Sequence, residues 1–224
     1  MRDSLDGVEY RFEDPQLLRE ALTHRSAGVG NNERLEFLGD SVLNLVIAMR
    51  LYETHPTAQE GDLSRMRARL VRGSTLAEVA TGINLGQRIM LGEGELKSGG
   101  FRRASILADA FEALLGAVFI DGGYRACRRV ILSLFDPLIE TLPDADDLKD
   151  PKTRLQEWLQ ARGRALPQYS LVGEEGADHA KNFHVVCRLS DDGTEVQQTG
   201  RSRRKAEQAA AARVLEILQG SEPA

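Results

Sequence analysis

Fifteen consecutive residues, Ile106 to Ile120, constrain this chain more than any other stretch. Their only polar side chains are Asp109 and Glu112. A helix that is apolar nearly all round belongs in a core. The run therefore predicts a central helix carrying two partly buried carboxylates one turn apart. Burying an ionised carboxylate is costly unless something compensates it. Three compensations are open at this point. One is an arginine pair, for which Arg34, Arg65 and Arg67 are available; the others are a raised pKa and a bound cation.

A second acidic group sharpens the choice. In Asn32-Glu33-Arg34-Leu35-Glu36-Phe37-Leu38-Gly39-Asp40 the acids Glu33, Glu36 and Asp40 recur three and four residues apart. They share one helix face and repel one another. On an ordinary surface helix this is a solvated acidic face. Here Leu35 to Met49 is largely apolar, which predicts a helix packed on several sides. Two carboxylate clusters brought together favour a hard divalent cation with oxygen ligands, Mg²⁺ or Mn²⁺. Such a cation polarises phosphoryl oxygens and lowers the pKa of water.

Other chemistries find less support. His24, His55, His179 and His184 form no HExxH pair, which disfavours zinc. Cys127 and Cys187 lie far apart in no CxxC pattern, so neither a zinc site nor a disulfide framework is expected, and a cytoplasmic location is. Gly92-Glu93-Gly94-Glu95-Leu96-Lys97-Ser98 lacks the glycine directly before the lysine of a phosphate loop, and reads as a mobile connector. No run approaches the ~18 apolar residues of a membrane span. The first fifteen residues hold no apolar stretch that would serve as signal or anchor.

The hydrophobic period changes along the chain. Helices are predicted from Asp14-Pro15 to about His24, from an Asn31 or Asn32 cap to about His55, from Glu60 to Val71, and from Ser74 to Asn84. After a glycine-rich loop, Gly92 to Gly100, Ser105–Ile120 and Tyr124–Thr141 complete a helical bundle. Leu142 to Pro151 contains two prolines and four aspartates and reads as a solvated linker. Beyond it a helix, Lys152 to Arg162, precedes three strands: Gln168–Glu174, Phe183–Leu189 and one ending near Thr199. The second and third strands join through Asp191-Asp192-Gly193-Thr194. An alanine-rich helix, Ser202 to Leu218, closes the chain. The expected organisation is an all-α domain over residues 1–145, a linker at 146–150, and a small α+β domain (α-β-β-β-α) at 151–220.

The net charge of −5 argues against a nucleic-acid partner only if it is evenly spread. It is not. Residues 1–150 carry 18 basic and 24 acidic side chains, residues 151–224 carry 11 and 10. Arg201, Arg203, Arg204 and Lys205 gather where the last helix begins. The helix dipole prefers acids there, so the cluster suggests a bound phosphate. Gln156, Glu157 and Gln160 share the first helix of the small domain and suit ribose 2′-hydroxyls. The loop Gly176–Lys181, with His179, is placed to reach a groove. Double-stranded RNA is read largely through such contacts. No pair of strand aromatics is present for stacking single-stranded bases.

These residues carry a resemblance. NERLEFLGD at 32–40, followed by Ser41, resembles the signature of bacterial ribonuclease III. So do Leu22–Ser26, Glu60–Arg67 and Leu107–Leu114. DPKTRLQEWLQ at 150–160 and SRRKAEQAAA at 202–211 are similar to that family's double-stranded-RNA-binding domain. The resemblance covers about residues 5–220. It implies an all-α endonuclease domain followed by an α+β duplex-RNA-binding domain. It also implies a homodimeric, Mg²⁺-dependent endoribonuclease, with Mn²⁺ substituting, that cuts both strands of duplex RNA. Products with 5′-phosphates and short 3′ overhangs, and processing of ribosomal and other structured precursors, are further implications. By motif position Glu36, Asp40, Asp109 and Glu112 hold the metal, Asp40 and Glu112 being catalytic. Glu33 and Glu60 are further cleft acids. Thr153, Gln156, Glu157, Gln160, His179, Arg203, Arg204 and Lys205 contact RNA. Ala177 departs from a frequent proline in the small-domain loop, which lessens the expected rigidity there. The rivals from other classes are a non-catalytic duplex binder and a regulatory dimer with a phosphate-binding tail.

Overall fold

A computed structural model of the chain describes residues 7–28, 30–143, 148–176 and 181–220. The chain divides into two compact units, Met1–Ala145 and Asp146–Ala224.

The first unit is helical. Helix α1 (Pro15–Ala21) opens on Asp14, whose carboxylate accepts from the Gln16 amide at 2.8 Å, with Pro15 in the first turn. Helix α2 (Glu33–Thr54) runs to His55, just before Pro56. Its N-cap position is Asn32, yet the side chain that bonds the helix start is that of Asn31, whose Oδ1 accepts from the Glu33 amide at 3.1 Å. Helices α3 (Glu60–Leu70) and α4 (Gly73–Gly82) follow. Within the expected glycine-rich loop the chain forms a short helix, α5 (Glu93–Lys97), and a 3₁₀ turn at Gly100–Arg102. The segment is tied down: Arg103 bonds Glu95 at 3.1 Å, and the Gly92 amide donates to Ser26 Oγ at 2.9 Å. Helix α6 (Ala104–Glu140) holds the apolar run. Gly123, at φ 71°, divides it where two helices were predicted.

Helices α2 and α6 pack along one another and form the core. From Ile106 to Val118 only Asp109 and Glu112 escape full burial, whereas Ile120 at the end of the run is 54% exposed. The crossing is close because both helices carry a glycine there. A Cβ on Gly39 would lie 1.7 Å from the Glu112 carbonyl oxygen, and one on Gly116 would lie 2.2 Å from that of Leu35. Backbone thus meets backbone at the point where Glu36, Asp109 and Glu112 project.

The second unit has the expected order. Helix α7 (Pro151–Gln160) is capped by Asp150, which accepts from the Lys152 amide at 2.9 Å. Strands β1 (Gln168–Glu175), β2 (Asn182–Arg188) and β3 (Glu195–Gly200) form an antiparallel sheet in that order, with a bulge in β1 between Leu171 and Gly173. The β2–β3 turn closes through Asp192, whose carboxylate accepts from the Thr194 amide, and through Gly193 at φ 72°. Helix α8 (Arg203–Gly220) lies against β2, β3 and α7. Its small buried residues Ala210 and Ala211 pack with Leu155, Leu159, Cys187 and Val214 in a single core.

Candidate active site

The crossing of α2 and α6 converts sequence spacing into a site. Glu36, Asp109 and Glu112 each offer a carboxylate oxygen, and these oxygens lie within 4.8 Å of one another. Asp40, one turn further along α2, is exposed and accepts from Asn44 Nδ2 at 2.8 Å. It stands outside the tight triad but close enough to act on Glu112 electrostatically. Burial pushes the Glu112 carboxyl up to about 8, and the neighbouring charges of Asp40, Glu36 and Asp109 push the same way. Burial also raises Glu36, helped by Asp109 and Glu33 and opposed by Arg25. Asp109 is raised by burial against the pull of His24 and Arg25.

The arginine compensation is not what the structure holds. Arg65 turns to Asp62 on its own helix. Arg34 and Arg67 line other hollows, with Phe37 and with Glu60 respectively. Among the described residues Glu36, Asp40, Asp109 and Glu112 form no ion pair. The reason is helical geometry: Arg34 follows Glu33 by one position and faces away from Glu36, while α3 presents its arginines elsewhere. Three converging carboxylates that form no ion pair among the described residues, Arg25 acting on Glu36 and Asp109 only through its charge, are an all-oxygen donor set that fits a hard divalent ion.

A cavity of about 240 Å³ opens beside the triad, lined by His24, Arg25, Asn32, Glu33, Glu36 and Asp109. Glu33 is exposed within it and lies 3.7 Å from Arg25. Glu60 is elsewhere; its carboxylate accepts from Ser64 Oγ at 2.7 Å beside Tyr52 and Arg67. The sequence reading did not give His24, Arg25 or Asn32 a part in the site. His24 arrives there because its amide donates to the Met90 carbonyl and its ring caps the Arg25–Ala27 turn, Nδ1 lying 2.8 Å from Ser26 Oγ. That placement depends on a contact between residues 66 apart, which local periodicity does not encode.

In the second unit Thr153, Gln156, Glu157 and Gln160 are all exposed on one face of α7, opposite the buried Leu155 and Leu159. Glu157 is bonded by Lys149 at 2.9 Å. The basic start of α8 is partly balanced within the fold. Arg203 pairs with Glu207 at 3.0 Å and Arg204 with Asp150 at 3.5 Å, while Ser202 Oγ accepts from the Lys205 amide. Arg201 and Lys205 are exposed and have no carboxylate partner among the described residues. The conflict with the helix dipole is therefore smaller than the sequence suggested. His179 lies outside the described residues.

Comparison with known proteins bears on the same two units. The Ribonuclease-III-like family pattern matches residues 14–138, and the double-stranded RNA binding motif matches residues 151–218. The chain is 57% identical to Ribonuclease 3 of Nitrosococcus oceani over 222 residues, covering 95% of each protein. It is 56% identical to that of Thiobacillus denitrificans over 213 residues, covering 95% of this chain and 94% of the relative. The chain belongs to the ribonuclease III family. Among solved structures, the nuclease domain of ribonuclease III from Campylobacter jejuni aligns with a TM-score of 0.58 at 40% identity, covering 61% of this chain and 94% of that one. A second structure of that domain, described for flexibility in a region involved in dimer formation, aligns at 0.56 and 43%, covering 57% and 90%. As a ribonuclease III family member the chain is an endoribonuclease with a double-stranded-RNA-binding motif. Its acidic triad is compatible with the divalent metal that such enzymes use. Among the described residues no helix is long and apolar enough to cross a membrane.

Proposed function

We propose that this chain hydrolyses both strands of duplex RNA with Mg²⁺, leaving 5′-phosphates and short 3′ overhangs, and that its substrates include ribosomal and other structured precursors. The observation that carries the metal dependence is the convergence of Glu36, Asp109 and Glu112, with Asp40 beside them and no ion pair to any of them among the described residues. These four residues would hold the ion, and Mn²⁺ would substitute because it accepts the same oxygen ligands. When bound, the ion supplies a Lewis acid that neutralises phosphoryl charge and lowers the pKa of water. Asp40 and Glu112 are the catalytic pair in this reading. The buried face of α6 keeps Glu112 in a low-dielectric setting, where its charge acts strongly on whatever enters. Glu33, on the rim, adds to the negative field that draws in a cation.

The second unit would deliver the duplex. Thr153, Gln156, Glu157 and Gln160 form a polar face suited to ribose hydroxyls and groove edges. Lys205, with Arg203 and Arg204 once their acidic partners yield, would contact phosphates, and His179 would reach from its loop.

Cutting two strands calls for two sites, and the outer face of α2 suits a two-fold partner. Phe37 (78% exposed), Leu45 and Tyr52 stand along it, with Ile120 nearby. Beside Phe37 lies a hollow of about 600 Å³ lined by Leu17, Leu35, Leu38 and Ile120 together with Glu20, Glu33 and Arg34. A protruding aromatic next to a hollow with an apolar wall can be self-complementary, as an isologous interface requires. The direct test is incubation with a plain RNA duplex, with and without Mg²⁺, and mapping of the ends. Paired cuts with 5′-phosphates and 3′ overhangs are expected only with the ion. Cleavage at full rate in a chelator would contradict the reading.

A further inference from the structure

Asn32 is 2% exposed, and its Nδ2 has no hydrogen-bond partner among the described residues. Its backbone is fully occupied, the amide donating to the Thr23 carbonyl and the carbonyl accepting from the Glu36 amide, each at 2.9 Å. Its side chain does not perform the duty usual for asparagine at a helix N-cap, because Asn31 performs it. A buried amide without a partner weakens a fold, and folded proteins rarely leave one so. Asn32 is one of the residues that line the cavity with Glu36 and Asp109. Of the two orientations of a carboxamide, the one that presents N–H to an acidic cavity is electrostatically favoured.

We infer that Asn32 is a positioning residue for the cation site. With an ion held there, its amide would donate to a carboxylate of this cavity, that of Glu36 or Asp109. Outer-sphere hydrogen bonds of this kind fix the rotamer of a metal ligand, and their loss costs roughly 10–100-fold in metal affinity or activity. The inference rests on the proposed role of the triad as a metal site.

The test uses the full chain and Mn²⁺ alone, with bound ion measured from the loss of the free-ion paramagnetic resonance signal. Four proteins are compared: wild type, Glu112→Gln, Asn32→Ala and Asn32→Leu. Asn32→Ala is expected to bind Mn²⁺ about 10-fold or more weakly. Its metal-free melting temperature should be unchanged or higher, because an unpaired buried amide has been removed. In cleavage, the half-saturating Mg²⁺ concentration should rise while the rate at saturating Mg²⁺ largely recovers. A folded Asn32→Ala with wild-type Mn²⁺ affinity overturns the inference. So does loss of folding in both Asn32 variants, which would assign the residue to holding the structure. If wild type and Glu112→Gln bind Mn²⁺ alike, the metal reading of the triad itself fails. Tight wild-type binding that only Glu112→Gln weakens would sink the Asn32 inference alone.

Discussion

Glu112 concentrates the electrostatics of the site in one carboxyl. Its ordinary value near 4.5 is raised to about 8, first by burial and then by Asp40, Glu36 and Asp109. A carboxyl whose folded pKa is raised favours the fold while it is protonated. That contribution is fully present below about 4.5 and is lost as pH rises through about 8. The metal-free protein should therefore lose melting temperature across this window, and Glu112→Gln should flatten the loss. Cation binding needs the ionised form, so Mn²⁺ affinity should rise over the same window. A pH-independent affinity, read by titration at several pH values, would contradict this. The acids were legible in the sequence because two polar residues in an apolar run have few explanations. The side chains around them were not. The sequence leaves Asn31 and Asn32 both open as the cap, and only the folded chain shows that Asn31 makes the bond and frees the side chain of Asn32. The arginine alternative looked open because spacing along a chain does not say which way a neighbouring helix turns its cations.

At the level of elements, the site exists because α2 and α6 approach closely. Gly39 and Gly116 permit that approach, and a Cβ at either position would overlap the facing backbone. Gly39→Ala is expected to destabilise the first unit by at least about 2 kcal/mol, since backbone on both sides leaves little room to relax. Denaturant unfolding measures it, and a loss within about 0.5 kcal/mol would show that the helices shift apart freely. In the sequence nothing beyond its place in the NERLEFLGD signature distinguishes Gly39. Its packing role depends on a partner more than seventy residues away. The helices with clear caps and apolar stripes, α1 and α2 among them, were readable from the sequence. Helix α5 was hidden because Gly92, Gly94, Gly99 and Gly100 crowd a segment stabilised by Arg103 and Ser26 from outside it. The hairpin joining β2 and β3 was readable, since Asp192 and Gly193 supply the bond and the positive φ that the turn needs.

For the whole molecule, the placement of charge carries more meaning than the total of −5. The acids of the first unit gather into a cluster compatible with a divalent cation, and the small unit presents Arg201 and Lys205 without carboxylate partners among the described residues. Duplex binding should weaken with salt as counterions are released. Lys205→Ala should lower the logarithmic salt slope by roughly one phosphate contact. An unchanged slope in filter-binding or anisotropy titrations would remove Lys205 from the interface. The exposed face of α2 predicts self-association. Phe37→Asp should shift the protein toward monomer in sedimentation and reduce paired cuts relative to single nicks. A wild-type chain that sediments as a monomer at micromolar concentration would contradict the two-site arrangement. The central claim is that the carboxylates at the α2–α6 crossing perform the cleavage while the small unit binds the substrate. Its most direct test is Glu112→Gln, which keeps the side-chain volume and removes the charge. Cleavage of an RNA duplex in Mg²⁺ should fall by at least about 100-fold, beyond the usual cost of an outer-sphere change, with duplex affinity near that of wild type. Full-rate cleavage by this variant would contradict the account.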